Sequence, residues 1–396
     1  MKKKKQIFAF ILTIILIFSN ISFAAIPGFE DSTKGYIIAE FDSDTILSSY
    51  NEDEVVSVAS ITKLMTYILT KEAIKKGSLS LTDSITVTED IASVGGSSLS
   101  LSKDQNVTIE QLLKGLVIVS GNDAAYALAK TVGGSEEEFT KLMNEKAKEI
   151  GLEKANFVNA SGLPDPETKE ENTMTVRDVY TMSRYVLETY PEILELTSTK
   201  VLEIPELQVR KESTIPLLGE IAGIDGLKTG TTDAAGYCLV STFKPISNET
   251  LKEHRFISVI MGANSNDDRR NIAEIIFNYI NGNYINGKVV DEDEIYKELK
   301  INSIDSGVVE VYPKQTRDIL YDKTEGLTIS GDMNVDVKGP IKSGDKVGVL
   351  SIRGNNGKVY DVDLIVKEDY NKAGFGTRLK RMFLDIYENM KLYLNF

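Results

Sequence analysis

Val58-Ala59-Ser60-Ile61-Thr62-Lys63-Leu64-Met65 is the stretch from which the rest of the chain can be read. Ile61, Leu64, Met65, Ile68 and Leu69 recur at helical spacing, and Gly77 fits just past the end of a helix running to about Lys76. Ser60 stands at the start of that helix. Residues three apart on a helix share a face, so the Lys63 amine can reach the Ser60 hydroxyl. A serine is a poor nucleophile until an adjacent base takes its proton. The positive end of the helix dipole favours a developing alkoxide. Lysine can be the base if burial or neighbouring cations lower its pKa. A histidine base is disfavoured, because the single histidine lies in the polar run Lys252-Glu253-His254-Arg255, where a solvated loop residue is expected. The Ser-x-x-Lys pattern is weak alone. It recurs at Ser100, Ser241 and Ser343, and an N-cap serine followed by a surface lysine would look the same.

Upstream, Gly35 to Phe41 reads as a strand, Asp42-Ser43-Asp44-Thr45 as a turn, and Ile46 to Tyr50 as the returning strand. Downstream, Thr108 caps a helix marked by Ile109, Leu112, Leu113 and Leu116, and Asn122 opens another through Ala124, Ala125, Ala127 and Leu128. Further helices fit 135–150 and 175–188. Tyr237 to Phe243 and Phe256 to Met261 are β-rich, and Arg270 to Tyr279 is helical again. Strands first, helices in the middle, then strands and a helix predict one α/β domain over 25–283. Beyond Asn283 the texture is all-β, with runs such as 308–311, 327–329 and 347–352. Asn356-Gly357 between two such runs signals a hairpin. A small β-sandwich is expected, within a domain over 284–368.

The tail, 369–396, carries a helical apolar stripe of Phe375, Leu379, Met382, Phe383, Ile386, Met390 and Tyr393. Arg378, Arg381, Asp385, Glu388 and Lys391 lie opposite. Its early basic residues suit an amphipathic helix lying on an anionic membrane surface. Docking on its own β-domain or on a partner is the alternative.

Two further clusters carry chemistry. Ser120-Gly121-Asn122 links two predicted helices, where a serine hydroxyl can relay a proton and an asparagine amide can hold a carbonyl. As a bare tripeptide it is also an ordinary turn. Lys228-Thr229-Gly230, followed by Thr231, precedes the strand at Tyr237. Lys and Thr side chains on a strand edge can bind a carboxylate, and the glycine allows close approach to the backbone. Taken singly it could be an exposed turn.

Ser-x-x-Lys, Ser-x-Asn and Lys-Thr-Gly in this order and at wide intervals form the signature of penicillin-binding proteins and serine β-lactamases. The chain resembles the low-molecular-mass penicillin-binding proteins, serine D-Ala-D-Ala carboxypeptidases similar to penicillin-binding protein 5 and its sporulation relatives. The resemblance covers nearly the whole chain and includes Val117 to Ala125, Phe157 to Leu163 and Asp225 to Gly230. One departure is Val58, where the family usually has proline two residues before the nucleophile. The resemblance implies a penicillin-binding catalytic domain, with an antiparallel sheet flanked by helices plus an all-helical region. A β-sandwich and a C-terminal amphipathic helix would follow it. It also implies that Ser60 attacks the penultimate D-Ala carbonyl with Lys63 as base, and that Ser120 and Lys228 complete the proton path to the leaving D-Ala. Asn122 would hold the substrate backbone, Gly230 would let it approach, and Ser60 and Thr231 would supply oxyanion-hole N–H groups. Thr229 would bind the terminal carboxylate, joined by Arg269, although Arg270 stands beside it. No cofactor or metal is implied, and β-lactams would acylate Ser60.

Composition narrows the alternatives. The chain has 396 residues and a net charge of −14, which disfavours a nucleic-acid partner. One His and one Cys leave little for a His- or Cys-ligated metal site, and a single Cys permits no internal disulfide. Cys238, among Tyr237, Leu239 and Val240, reads as a small buried hydrophobe. Lys2 to Lys5, the apolar run Ile7 to Phe18 and Ser22-Phe23-Ala24 read as an export signal, 1–24, cleaved after Ala24. An uncleaved anchor is the alternative, though the apolar run is short for a span. The expected location is therefore the outer face of the cytoplasmic membrane. Two other functions stay open. One is a β-lactamase, for which the sequence shows no convincing deacylating glutamate. The other is a non-catalytic penicillin-binding scaffold or sensor, which has no need of intact lysines.

Overall fold

The computed structural model describes residues 28–333, 339–354 and 357–394. The expected export signal over 1–24 lies outside the described residues, as does Asn356 of the expected hairpin turn. So do the side chains of Asp385, Glu388, Met390, Lys391 and Tyr393 in the tail. The chain forms two compact units, dividing between Gly282 and Asn283.

In the first unit, β1 (Gly35–Glu40) and β2 (Thr45–Tyr50) form a hairpin, and β3 (Val55–Ser57) leads into a 3-10 turn, Ala59–Thr62. Then follow α1 (Lys63–Lys75), β4 (Ser84–Thr86), α2 (Glu89–Ala92), β5 (Asn106–Thr108), α3 (Ile109–Ile118), α4 (Asn122–Gly133) and α5 (Glu136–Glu149). Next come β6 (Thr173–Thr175), α6 (Val176–Thr189), α7 (Ile193–Thr197), β7 (Val201–Ile204) and β8 (Val209–Glu212). The unit ends with β9 (Ile224–Thr232), β10 (Gly236–Phe243), β11 (Phe256–Ala263) and α8 (Asn266–Asn283).

The five-stranded sheet runs β2-β1-β11-β10-β9, antiparallel throughout, so the first strands close against the last and β9 is left at an edge. Every residue of β1 is buried, as expected of a strand covered on both faces. The helical elements between β2 and β9 share an apolar core with this sheet. At their centre, α1 is buried from Lys63 through Thr70, a helix wrapped by protein on all sides. Two helices start with reciprocal capping boxes. Thr108 pairs with Gln111 on α3, and Thr175 pairs with Asp178 on α6. His254 differs from the solvated loop residue expected: its Nδ1 lies 3.1 Å from Oε1 of the buried Glu40. A carboxylate out of water needs a cationic or hydrogen-bonding partner, and Glu40 holds the imidazole pKa above its ordinary value.

The second unit contains β12 (Tyr284–Val290), β13 (Lys297–Lys300), β14 (Val308–Pro313), β15 (Arg317–Asp322), β16 (Thr328–Met333), β17 (Lys346–Arg353), β18 (Val359–Ile365) and α9 (Phe375–Leu394). One sheet runs β13-β14-β18-β17-β16, and β12 pairs with β15 in a second. Val290 and Ile319 of the small sheet join Val309, Val311, Leu350, Ile352 and Leu364 of the large one in a single core. Along α9, Arg381 donates from Nη2 to the Asp305 carbonyl at 2.6 Å and also to the Ile304 carbonyl. Phe375 and Phe383 remain 75% and 60% exposed. No helix among the described residues is long and apolar enough to cross a membrane.

Candidate active site

Ser60 sits within the 3-10 turn that precedes α1, rather than in the first α-turn. Ala59 before it has φ +46°, a left-handed conformation that costs a non-glycine residue on the order of 1 kcal/mol or more. Ser120 is held at φ +60° in the same region. Such backbone persists only where its surroundings enforce it. Gly162 packs so tightly on this turn that a Cβ there would lie 1.9 Å from the Ala59 carbonyl oxygen.

Lys63 is fully buried, and its Nζ lies 2.7 Å from each of Ser60 Oγ, Asn122 Oδ1 and the Ser161 carbonyl oxygen. Burial pushes its pKa well below the ordinary value. The nearby Lys228 adds to that effect, and Asp123 opposes it. The geometry has a chemical consequence. The Asn122 and Ser161 oxygens can only accept, so they take both hydrogens of a neutral amine. The nitrogen lone pair then faces the Ser60 hydroxyl, the arrangement a general base requires.

On the other side of the site, Lys228 Nζ donates to Ser120 Oγ at 2.8 Å and to the Thr229 carbonyl at 2.9 Å. Burial, followed by the charge of Arg269, lowers its pKa to about 7. Asn122 also donates from Nδ2 to the Gly95 carbonyl at 2.8 Å, so its amide bridges Lys63 and the 95–101 segment. The buried Asp123 folds that segment down, accepting from the backbone N–H groups of Leu99 and Leu101 and from Ser98 Oγ.

Strand β9 brings the last group alongside. A Cβ on Gly230 would lie 2.9 Å from the Val58 carbonyl oxygen and 3.1 Å from the Ser60 nitrogen, so the strand runs against the nucleophile's own N–H. Thr229 Oγ1 is 2.8 Å from Thr214 Oγ1, and Thr231 is exposed at the site mouth. Arg269 Nη1 approaches the Cys238 carbonyl at 3.2 Å and both the Gly230 carbonyl and Thr231 Oγ1 at 3.4 Å. Arg269 is buried, and no carboxylate among the described residues pairs with it. Arg270 instead points away and pairs with Glu220. Cys238 is buried on β10, with its thiol pushed up to about 11 by burial.

Every site residue read from the sequence thus gathers around Ser60, drawn from α1, the Ser120 turn, α4, β9 and α8. Sequence reading assigned no role to Ser161, Thr214 or Asp123, nor to the buried Asn172, whose backbone oxygen accepts from the Val58 N–H at 3.1 Å. Ser161 lies in the 157–163 block noted above. Asn172 and Thr214 stand in no motif and are found only through tertiary contact.

The comparisons with known proteins follow the same lines. The family model described as peptidase S11, D-alanyl-D-alanine carboxypeptidase, matches residues 23–265. The D-alanyl-D-alanine carboxypeptidase DacF of Bacillus subtilis is 31% identical over 385 residues, spanning 94% of this chain and 95% of its own. DacC of Escherichia coli is 30% identical, with 92% of both chains covered. Among solved structures, the carboxypeptidase DacD of Francisella tularensis superposes with a TM-score of 0.67 at 26% identity, over 90% of this chain and 97% of that one. Penicillin-binding protein D2 of Listeria monocytogenes, in its ampicillin-bound form, gives 0.56 at 31% identity over 63% and 98%. The family model covers more than half of the chain and relatives at 30% identity or above span nearly all of it, so this chain, with its buried lysine aimed at a serine, belongs to the S11 family of serine D-alanyl-D-alanine carboxypeptidases.

Proposed function

We propose that this carboxypeptidase works through Ser60, with roles divided among the surrounding residues as follows. Neutral Lys63 takes the Ser60 proton as Oγ attacks the carbonyl of the penultimate D-Ala. The backbone N–H groups of Ser60 and Thr231 stabilise the oxyanion. As the C–N bond breaks, the proton held by Lys63 passes by way of Lys228 and Ser120 to the departing D-alanine nitrogen, which leaves both lysines neutral again. Water then gives a proton to Lys63 as it adds to the ester carbonyl, the Oγ–C bond breaks as that proton returns from Lys63 to Ser60 Oγ, and the shortened peptide leaves. Asn122 orients the peptide amide, and Gly230 admits the substrate backbone. Thr229 and Arg269 hold the terminal carboxylate, a buried guanidinium with no counter-ion among the described residues being suited to an arriving anion. β-Lactams acylate the same serine.

The proposal extends to place and parts. Residues 1–24 direct export, 25–283 catalyse, 284–368 form the β-domain, and 369–396 hold the enzyme on the outer face of the cytoplasmic membrane. The stem peptide ending in D-Ala-D-Ala is the substrate.

The observation that carries the mechanism is the 2.7 Å approach of Lys63 Nζ to Ser60 Oγ with acceptor-only partners on its other side. The test is D-alanine release from a short D-Ala-D-Ala peptide by the chain from Ala25, beside Ser60→Ala. Release by wild type alone supports the assignment. Persistent labelling by penicillin with no release supports a sensor, and fast penicillin turnover supports a β-lactamase.

A further inference from the structure

Glu171 stands at the mouth of the site without an assigned role. Along β9, Lys228, Gly230 and Thr232 alternate onto one face. Lys228 reaches Ser120, Gly230 abuts Val58 to Ser60, and Thr232 Oγ1 donates to Glu171 Oε2 at 2.8 Å. The carboxylate therefore lies on the Ser60 side of the strand, two residues past Gly230.

Its position is fixed by its neighbour. The buried Asn172 accepts from Val58 N through its backbone oxygen at 3.1 Å and donates from Nδ2 to Thr62 Oγ1 at 2.9 Å. The segment is thus pinned on both sides of Ser60. Glu171 is half-buried, bonded to a neutral hydroxyl, and takes part in none of the ion pairs among the described residues. Glu170 and Asp233 beside it are exposed acids.

The substrate's direction follows from the roles proposed above, on which this inference rests. With the terminal carboxylate at Thr229 and the scissile carbonyl beside Ser60 and Gly230, the peptide runs antiparallel to β9. Each extended residue advances about 3.3 Å. The residue preceding the D-Ala pair then lies against Thr232 and Glu171. We propose that Glu171 is a specificity-determining residue that pairs with a protonated side-chain amine on that preceding residue. The enzyme then favours stems whose amine is free over stems in which it has been acylated, as in a cross-link.

The test compares D-alanine release from acyl-Lys-D-Ala-D-Ala with release from its Nε-acetyl counterpart. Wild type is expected to prefer the free amine roughly tenfold in kcat/KM, the scale of one hydrogen bond to a charged group. That ratio should shrink between about 50 mM and about 500 mM salt. Glu171→Gln is expected to bring it near one, and Glu171→Lys to invert it. A general folding defect would lower both rates alike and leave the ratio standing. Equal wild-type rates on the two peptides, or an undiminished ratio in Glu171→Gln, would overturn the proposal. Should the variants not fold, a salt-insensitive wild-type ratio would overturn it equally. Release from neither peptide would instead bring down the carboxypeptidase mechanism, and this inference with it.

Discussion

Asn122 Oδ1 accepts a hydrogen bond from Lys63 Nζ at 2.7 Å, across 59 residues of chain. The contact fixes which Lys63 hydrogens are used, and it does so with a neutral oxygen. Asn122→Asp keeps the shape and substitutes a negative charge. An opposite charge this close favours the protonated amine and raises the Lys63 pKa. Penicillin acylation near pH 7 should fall by about 10²-fold or more, the usual scale for loss of a general base. The lost rate should return in part as pH rises. Equal loss at every pH would show that Asn122 acts only on substrate.

Lys228 and Arg269 make a second pair whose charges can be separated by experiment. Lys228 titrates near 7, lowered by burial and then by Arg269. Below that pH it already carries a proton and cannot accept the one that Lys63 passes on, so acylation should decline as pH falls through about 7. Arg269→Gln removes one depressing charge, and the acid limb of the pH–rate profile should move to higher pH. A limb at the same pH would show that Arg269 does not act on Lys228. Stability follows with a definite sign. The folded pKa is below the ordinary 10.5, so the unfolded chain binds the proton first as pH drops. The contribution of neutral Lys228 is intact above about pH 10.5, is lost progressively down to about 7, and changes no further below. The unfolding midpoint of wild type should fall over that window relative to Lys228→Met, and the gap should then level off.

What could be read in advance depended on how local each signal was. Ser60 and Lys63 share a helical stretch, and Lys228 to Gly230 stand beside a strand, so period and motif reached them. The 3-10 geometry of the Ser60 turn was not legible, because it is imposed from outside by Gly162 and Asn172. The pairs β3–β6 and β4–β5 are three-residue strands, too short for any periodicity to register. His254 was misjudged for a related reason. Its polar neighbours speak for solvent, while its partner, Glu40, is 214 residues distant. Choosing between Arg269 and Arg270 likewise required knowing which one α8 turns toward β9.

The packing of Gly162 on the nucleophile turn gives a prediction about stability and chemistry together. Gly162 has φ +82°, and a Cβ there would meet the Ala59 carbonyl carbon at 2.4 Å as well as its oxygen. Neither atom belongs to a flexible side chain, so Gly162→Ala must displace the backbone next to Ser60. Stability should fall by more than ~1 kcal/mol from the left-handed conformation alone. Penicillin acylation should slow even at temperatures where the variant is fully folded. A lower melting temperature with unchanged acylation would mean that the turn relaxes without moving Ser60.

The tail offers a prediction in which two forces of opposite sign must be weighed. The chain's net charge of −14 repels an anionic membrane. On α9, Arg378, Lys380 and Arg381 precede most of the apolar stripe, and Phe375, Met382, Phe383, Leu384 and Tyr387 stand exposed. An apolar face with a short basic segment supplies the two signals that stable surface anchoring requires. Purified chain from Ala25 should therefore sediment with vesicles containing anionic lipid, less with neutral vesicles, and less again at high salt. Removing 372–396 should abolish binding while leaving penicillin acylation intact. Phe383→Ser should weaken it without altering the salt dependence, since that dependence belongs to the basic residues. Arg381 already donates to the Ile304 and Asp305 carbonyls. Arg381→Gln therefore tests whether one end of the helix must be docked for the apolar face to be presented. If the truncated chain still sediments, the surface that binds lies elsewhere, and α9 is left as a helix whose exposed face awaits a protein partner.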